Sequence, residues 1–449
     1  MKYLVCIDHD IIFRNFILSN SLDGLASVAD LVFVFPDSPR ITVDLAKFPY
    51  RWVKVPVDLV RASLWRRLFQ VTQMRWRPGS NWRVIRATQR YALGWKGSLQ
   101  IGFLSLPGIF GMYRRYILRR LVAGSNVALE SLFESERPDL ILIPTVLEGP
   151  FLNDLVGIGR RRDILTVAVM NSWDNPSTKR AVVGAPDWLL VWGPQTCDHA
   201  VRYVGMDPRR VVKFGAAQFD VFRLPPRYSR AEFCARAGID PRRRVLLYAG
   251  STKHADEFGH LLGLDEAIAA GELPDVSIIY RPHPWGLCGK DGERFATHNW
   301  RHVYLDPSMR DYVDQVGQGK AKMKLADYQD SHDLLSAVDA LVSPMSTILL
   351  EAAMHGKPIL CFQSGMKSNE SMRVRVSQAQ FAELFRNPEV LVCGDDDFLP
   401  AVRRLADLAR DPDIGNRMRA MCEDFVSPFD APFAERLPKF LATILSENS

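Results

Sequence analysis

The chain has 449 residues, of which 47% are hydrophobic and 24% charged, with a formal net charge of +6; this is enough apolar material for two sizeable cores and excludes a disordered or fibrous protein. Seven cysteines, odd in number and without paired spacing, indicate neither a disulfide framework nor a zinc site and point to a reducing compartment. The opening Met1-Lys-Tyr-Leu-Val-Cys-Ile-Asp8 meets acid too early for a secretory signal, so a cytoplasmic protein is expected.

Apolar runs at 3–7, 31–35, 52–55, 140–143, 165–169, 188–191 and 211–214 alternate with helix-like segments, the rhythm of a doubly wound parallel sheet. Two of these expected strands end in polar clusters: Asp8-His9-Asp10 after the first and Asn171-Ser-Trp-Asp174-Asn-Pro after the fifth. His9, Asp10 and Asp174, in that order, are candidates for a base that takes the proton of an acceptor hydroxyl. Asp8 and Asp10 fit equally as loop caps, and Asp174 as a turn former. Asp8-His9-Asp10 also fits a loose Asp-x-Asp metal pattern, but the signals for a phosphorylated ligand lie in the other half of the chain, and no metal is expected.

Between Val60 and Leu129 stand thirteen lysines and arginines, from Arg61 through Arg120, with no Asp or Glu and with Trp65, Trp76, Trp82 and Trp95 among them. Interleaved in this way, basic and aromatic residues suit an anionic membrane surface better than nucleic acid, for which the sequence shows no module. A soluble anionic acceptor or an oligomer contact would use the same residues. The uncharged run 97–113 is broken by Gly, Ser and Pro and is too short to span a bilayer.

A Pro- and Arg-rich stretch at 223–244 reads as an interdomain connection, after which the strand pattern restarts at 245–250 and continues at 276–280, 302–305, 340–342 and 358–362. Gly250 would let the backbone approach a diphosphate, with Ser251, Thr252 and Lys253 in reach of it. Val276-Ser-Ile-Ile-Tyr-Arg281-Pro-His283-Pro284 ends on a histidine whose backbone two prolines fix. In Ser343-Pro-Met-Ser346-Thr347 a strand turns into the helix 348–354, placing first-turn N–H groups toward an anion, with Glu351 deeper in for sugar hydroxyls and Gly356 as the stop. Asp395-Asp-Asp397 reads as a solvated turn before a helix at 398–410, and a last helix is expected at 431–445.

The His283-Pro284 and Ser346-Thr347 pair resembles the carboxy-terminal domain of GT-B glycosyltransferases, and more narrowly bacterial sialyltransferases and CDP-glycerol glycerophosphotransferases. The Gly215 to Asp220 step before the connection is similar to GT-B enzymes and to non-hydrolysing sugar-nucleotide epimerases. The resemblance implies an α/β protein of two Rossmann-like doubly wound domains facing a cleft. Residues 1–222 would form an acceptor-binding domain carrying the basic insertion 60–129; 223–244 a linker; 245–430 the donor-nucleotide domain; and 431–449 a helix crossing back to the first. It places the donor phosphates on His283, Pro284, Ser346 and Thr347; Gly250, Ser251, Thr252, Lys253, Arg281, Ser343 and Glu351, read from the residues themselves, complete the expected donor site. The expected activity is metal-independent transfer of a sugar from a nucleotide-activated donor to a surface-polysaccharide or lipid-linked glycan acceptor, without a cofactor, at the inner face of the plasma membrane. Polyol-phosphate transfer from a CDP-polyol, and sugar-nucleotide epimerisation, are the alternatives.

Overall fold

The computed structural model describes residues 1–39, 41–75, 82–123, 126–179, 184–250, 256–284, 290–318, 327–363 and 378–447. The chain divides into two compact units: Met1–Asp220 with Ser377–Gln380 and Phe425–Ser449, and Val221–Val376 with Phe381–Asp424.

In the first unit, β1 (Lys2–Cys6), β2 (Asp30–Asp37), β3 (Trp52–Pro56), β4 (Leu140–Thr145), β5 (Leu165–Met170), β6 (Trp188–Val191) and β7 (Val211–Lys213) form one parallel sheet in the order β3-β2-β1-β4-β5-β6-β7. Tyr3 stands opposite Leu31 on one side and Leu140 on the other. β1, β4 and β5 are almost continuously buried, which is why they read as apolar runs rather than alternating ones. The last helix, Phe433–Ser446, belongs to this unit: Phe433, Leu437, Leu441 and Ile444 enter one core with Phe16, Leu25 and Phe214. Its approach requires Gly24, where an added Cβ would lie 1.9 Å from the Ala434 carbonyl oxygen.

The basic insertion is helical, with segments Leu59–Gln73, Trp82–Leu104 and Ile109–Ala123. The second breaks at Gly94, whose φ of 67° is left-handed. Val71, Met74, Ile101 and Phe110 make one apolar seam among these helices, and Leu68, Ile117 and Leu121 a second. Among the described residues no helix is long and apolar enough to cross a membrane.

The second unit repeats the topology. β8 (Arg244–Ala249), β9 (Val276–Arg281), β10 (Val303–Leu305), β11 (Ala340–Ser343), β12 (Ile359–Phe362) and β13 (Val390–Cys393) lie parallel in the order β10-β9-β8-β11-β12-β13. β13 has no counterpart among the expected strands; four residues without alternation carry little signal. The stretch 223–244 is built into this unit. Ser229 and Glu232 close a capping box on the helix Arg230–Ala237, Arg227 pairs with Asp330 and Asp333, and Arg230 pairs with Asp339.

Candidate functional site

In a sheet of this order a ligand is held where successive connections leave in opposite directions, at the carboxyl ends of the central strands. In the second unit that place lies between β8 and β11, which are hydrogen-bonded neighbours with Val342 opposite Tyr248. Gly250, just past β8, donates its N–H to the Arg281 carbonyl at 2.9 Å. A Cβ there would lie 3.0 Å from the His283 nitrogen and 2.6 Å from Glu257 Oε2, so only glycine lets these segments meet. Glu257, a carboxylate the sequence reading passed over, accepts a 2.6 Å bond from the Tyr280 hydroxyl. It opens the helix Glu257–Ala269, an acid in the first turn being the signal that was available. Ser251, Thr252 and Lys253 lie outside the described residues.

Across the switch, the Ser343 hydroxyl donates to the Pro344 carbonyl at 3.0 Å and stands 3.4 Å from that of Ser346. The helix Ile348–Met354 starts with Thr347 as its cap, whose side chain makes no cap hydrogen bond, and the Leu349 and Leu350 N–H groups donate to the Ser346 and Thr347 carbonyls. Glu351 is buried within that helix. Arg281 is buried as well: Val276, Ile278 and Tyr280 enter the unit's core, so the alternate Arg281 turns to the other face, where its Nε lies 3.5 Å from buried Asp306. Desolvation raises the Asp306 pKa although Arg281 opposes it, and Arg281 Nη1 has no hydrogen-bond partner among the described residues.

Two histidines brace the far end of the Ser346–Thr347 helix. His355 Nδ1 donates to the Glu351 carbonyl at 2.7 Å, His355 Nε2 meets His332 Nδ1 at 2.8 Å, and His332 Nε2 donates to the Leu224 carbonyl at 2.8 Å. Two neutral rings supply two N–H groups for these three contacts. A third proton would fill the last, but burial, with His332 and Lys357 adding repulsion, outweighs the pull of the Glu351 carbonyl and lowers the His355 pKa to about 4.

In the first unit the candidate bases separate. His9 caps a short helix, its Nδ1 accepting from the Ile11 N–H at 3.1 Å. Asp10 is buried, and its carboxylate accepts from the Thr42 N–H at 3.0 Å and from the Thr42 hydroxyl, so it anchors a loop. Asp8 packs against Gly149, where a Cβ would lie 1.8 Å from its Oδ2. Among the described residues no three His, Cys, Asp or Glu side chains are grouped as a metal site needs.

Asp174 stands differently, at the wall of a cavity of about 340 Å³ with Gln70, Gln73, Thr88, Gln89, Ser177 and Gln378. Its main-chain carbonyl takes the bonds from Thr178 and Ser177, while among the described residues its carboxylate has only long contacts, with Asn175 at 3.3 Å and Thr178 at 3.4 Å. A second cavity, of about 370 Å³, is lined by Val57, Ala62, Trp65 and Leu147, and the two share Arg66, Phe69 and Glu148. Leu147 holds a φ of 60°, a conformation costly for a branched side chain. It follows β4 at this unit's own switch point, and Glu148, which the sequence reading also passed over, comes next.

The insertion therefore has an inner face. Arg61, expected on a membrane surface, is buried: its Nε lies 2.8 Å from both Asp154 oxygens, and its Nη1 donates to the Leu121 carbonyl. Trp65 donates its indole N–H to Asp154 at 2.7 Å, and Trp82 donates to the Met74 carbonyl. The outer face keeps Trp95, Leu99, Phe103 and Met112 exposed, Trp95 at 63%, along with Lys96, Arg114, Arg115, Arg119 and Arg120. Trp76 lies outside the described residues.

Neither a protein-family model nor a curated protein matches this sequence. Solved structures do. A putative UDP-N-acetylglucosamine 2-epimerase from Listeria monocytogenes shares 12% identity at a TM-score of 0.55, over 100% of this chain and 96% of that one. The glycotransferase of kitacinnamycin shares 11% at 0.52, over 98% of both chains. The S. aureus MnaA–UDP co-structure shares 12% at 0.51, over 99% and 97%. The likeness is one of fold: the structural neighbours are GT-B enzymes, and this chain has their two Rossmann-like domains.

Proposed function

We propose that the protein is an enzyme acting on a sugar nucleotide, and that it transfers the sugar to a surface-polysaccharide or lipid-linked glycan acceptor. The observation carrying this reading is the convergence at the second unit's switch point of Gly250, His283 and the hydroxyl-bearing Ser343 to Thr347 turn, which with the start of its helix suits a diphosphate. Ser251, Thr252 and Lys253 would close over it. Buried Arg281 and Glu351 would support the site from within, and Glu257 suits a hydroxyl of the donor, since a carboxylate repels its phosphates. The acceptor hydroxyl attacks the anomeric carbon as the bond to the phosphate oxygen breaks, its proton passes to Asp174, and the nucleotide leaves with the electron pair.

Epimerisation, the activity in the names of some neighbours, uses one small substrate. Transfer needs a second, and the first unit has cavities for one. The outer face of the insertion would hold the enzyme on an anionic membrane surface. Calorimetric titration with CMP-, CDP-, UDP- and GDP-activated sugars, and with CDP-glycerol, tests the reading. One donor should bind, and His283→Ala should weaken it about ten- to hundredfold by removing a charge-assisted contact; absence of binding by every donor would overturn it.

A further inference from the structure

We infer that the acceptor is a glycoside carrying an apolar aglycone close to its reacting sugar, rather than an unmodified glycan. This rests on the transfer reading and names its second substrate. The two cavities of the first unit differ in chemistry. Val57, Leu59, Ala62, Trp65, Phe69 and Leu147 give the larger an apolar wall, whereas the smaller sets Gln70, Gln73, Gln89, Thr178 and Asp174 against Val84, Ile85 and Leu93. Each has the size of a small-ligand site, they adjoin at Arg66, Phe69 and Glu148, and the proposed acceptor spans both. Arg66 and Glu148 are opposite in charge, so the junction asks for no ionic linker.

The polar chamber is built. Gln89 Nε2 donates to Gln73 Oε1 at 2.9 Å and to the Gln70 carbonyl at 3.2 Å, and Gln73 donates to the Thr178 carbonyl at 3.0 Å. Gln89 is buried at 7% exposure, and its Oε1, closed off as the side chain stands, has no partner among the described residues, so a small turn of the amide would offer it to a sugar hydroxyl. On the apolar side, Leu147 holds its strained backbone to reach the cavity. A binding site that joins an oily chamber to a hydroxyl-binding one selects a molecule with both parts.

The test uses this protein without nucleotide sugar, titrated with n-octyl β-D-glucoside below its aggregation concentration, methyl β-D-glucoside and n-octanol, read by calorimetry and by the part of the tryptophan fluorescence change that Trp65→Phe removes. Octyl glucoside should bind at least about tenfold more tightly than either fragment, as burying several methylenes demands. Ala62→Phe, which fills the apolar chamber, should abolish that advantage. Leu59 is 78% exposed, so Leu59→Glu leaves folding intact while putting a charge at the chamber, and it should act in the same direction. Equal binding of octyl and methyl glucoside, equal binding of octanol and octyl glucoside, or an octyl advantage that survives both substitutions would overturn the inference. Octyl glucoside binding without any turnover of a sugar nucleotide would sink the transfer reading and leave the chamber standing; transfer to plain glycans without preference would do the reverse.

Discussion

Replacing Asp154 by Ala removes the carboxylate that holds the helical insertion to the first Rossmann-like unit. That carboxylate is 1% exposed and receives Arg61 at 2.8 Å, the Trp65 indole at 2.7 Å and the Asn126 amide at 2.9 Å. Without it a guanidinium that is 10% exposed, still bonded to the Leu121 carbonyl, loses the carboxylate paired with it. Breaking such a pair from one side costs about 3–5 kcal/mol, since a charge stays buried. With domain stabilities of about 5–15 kcal/mol, the variant should fold with little margin. Arg61→Met combined with Asp154→Leu removes both charges and should recover at least about half of the loss, leaving Trp65 and Asn126 short of an acceptor. Urea denaturation followed by tryptophan fluorescence and far-ultraviolet dichroism measures all three. An Asp154→Ala loss below about 1 kcal/mol, or a double variant no better than the single one, would refute the account of this cluster as buried electrostatics.

Asp174→Asn should lower turnover by about 10² to 10⁴ with donor affinity unchanged, whereas Asp10→Asn should act on stability through Thr42; full activity in Asp174→Asn removes it as the base. His355 stays neutral in the folded protein down to pH about 4, below its ordinary 6.5. As pH falls through that window the unfolded chain takes up a proton the folded one refuses, so stability should drop by up to about 1.4 kcal/mol per pH unit. Denaturation midpoints of His355→Gln should lack that component, and an unchanged pH profile would count against it. Co-flotation with anionic but not zwitterionic vesicles, lost at high salt and reduced by Trp95→Ser with Phe103→Ser, is expected of the outer face; no flotation with either kind rules out membrane attachment.

Both sheets could be read in advance because buried parallel strands are apolar throughout, and because Gly250, the proline-framed His283 and the Ser346–Thr347 turn mark strand ends with residues whose backbone needs are unusual. β13 escaped for want of length. The sequence reading ranked Asp10 above Asp174, although both follow a strand and nothing local separates them; only the fold brings Thr42 onto Asp10 and leaves Asp174 on a cavity wall. Arg61 looked like its neighbours in a basic run until Asp154, 93 positions later, met it in the interior. The cavities were illegible for a similar reason. Their linings come from Asp37, Trp65, Glu148, Asp174 and Gln378, segments that no local period connects.

The helix Phe433–Ser446 completes a core whose other members begin near the amino terminus. During synthesis, then, the first unit cannot close when its own strands have emerged. The apolar groove that receives Phe433 and Leu437 waits while the whole second unit is made, which at about 5–20 residues per second is a delay of tens of seconds. The order of folding is inverted relative to the order of translation: the second unit has its strands in hand while the first still lacks its closing element. Nascent chains stalled short of Phe433 should be cut by protease within the first unit and protected within the second, whereas equal protection of both would show that the last helix is dispensable for closure. The helix Phe433–Ser446 thus acts as the latch of the domain that was begun first.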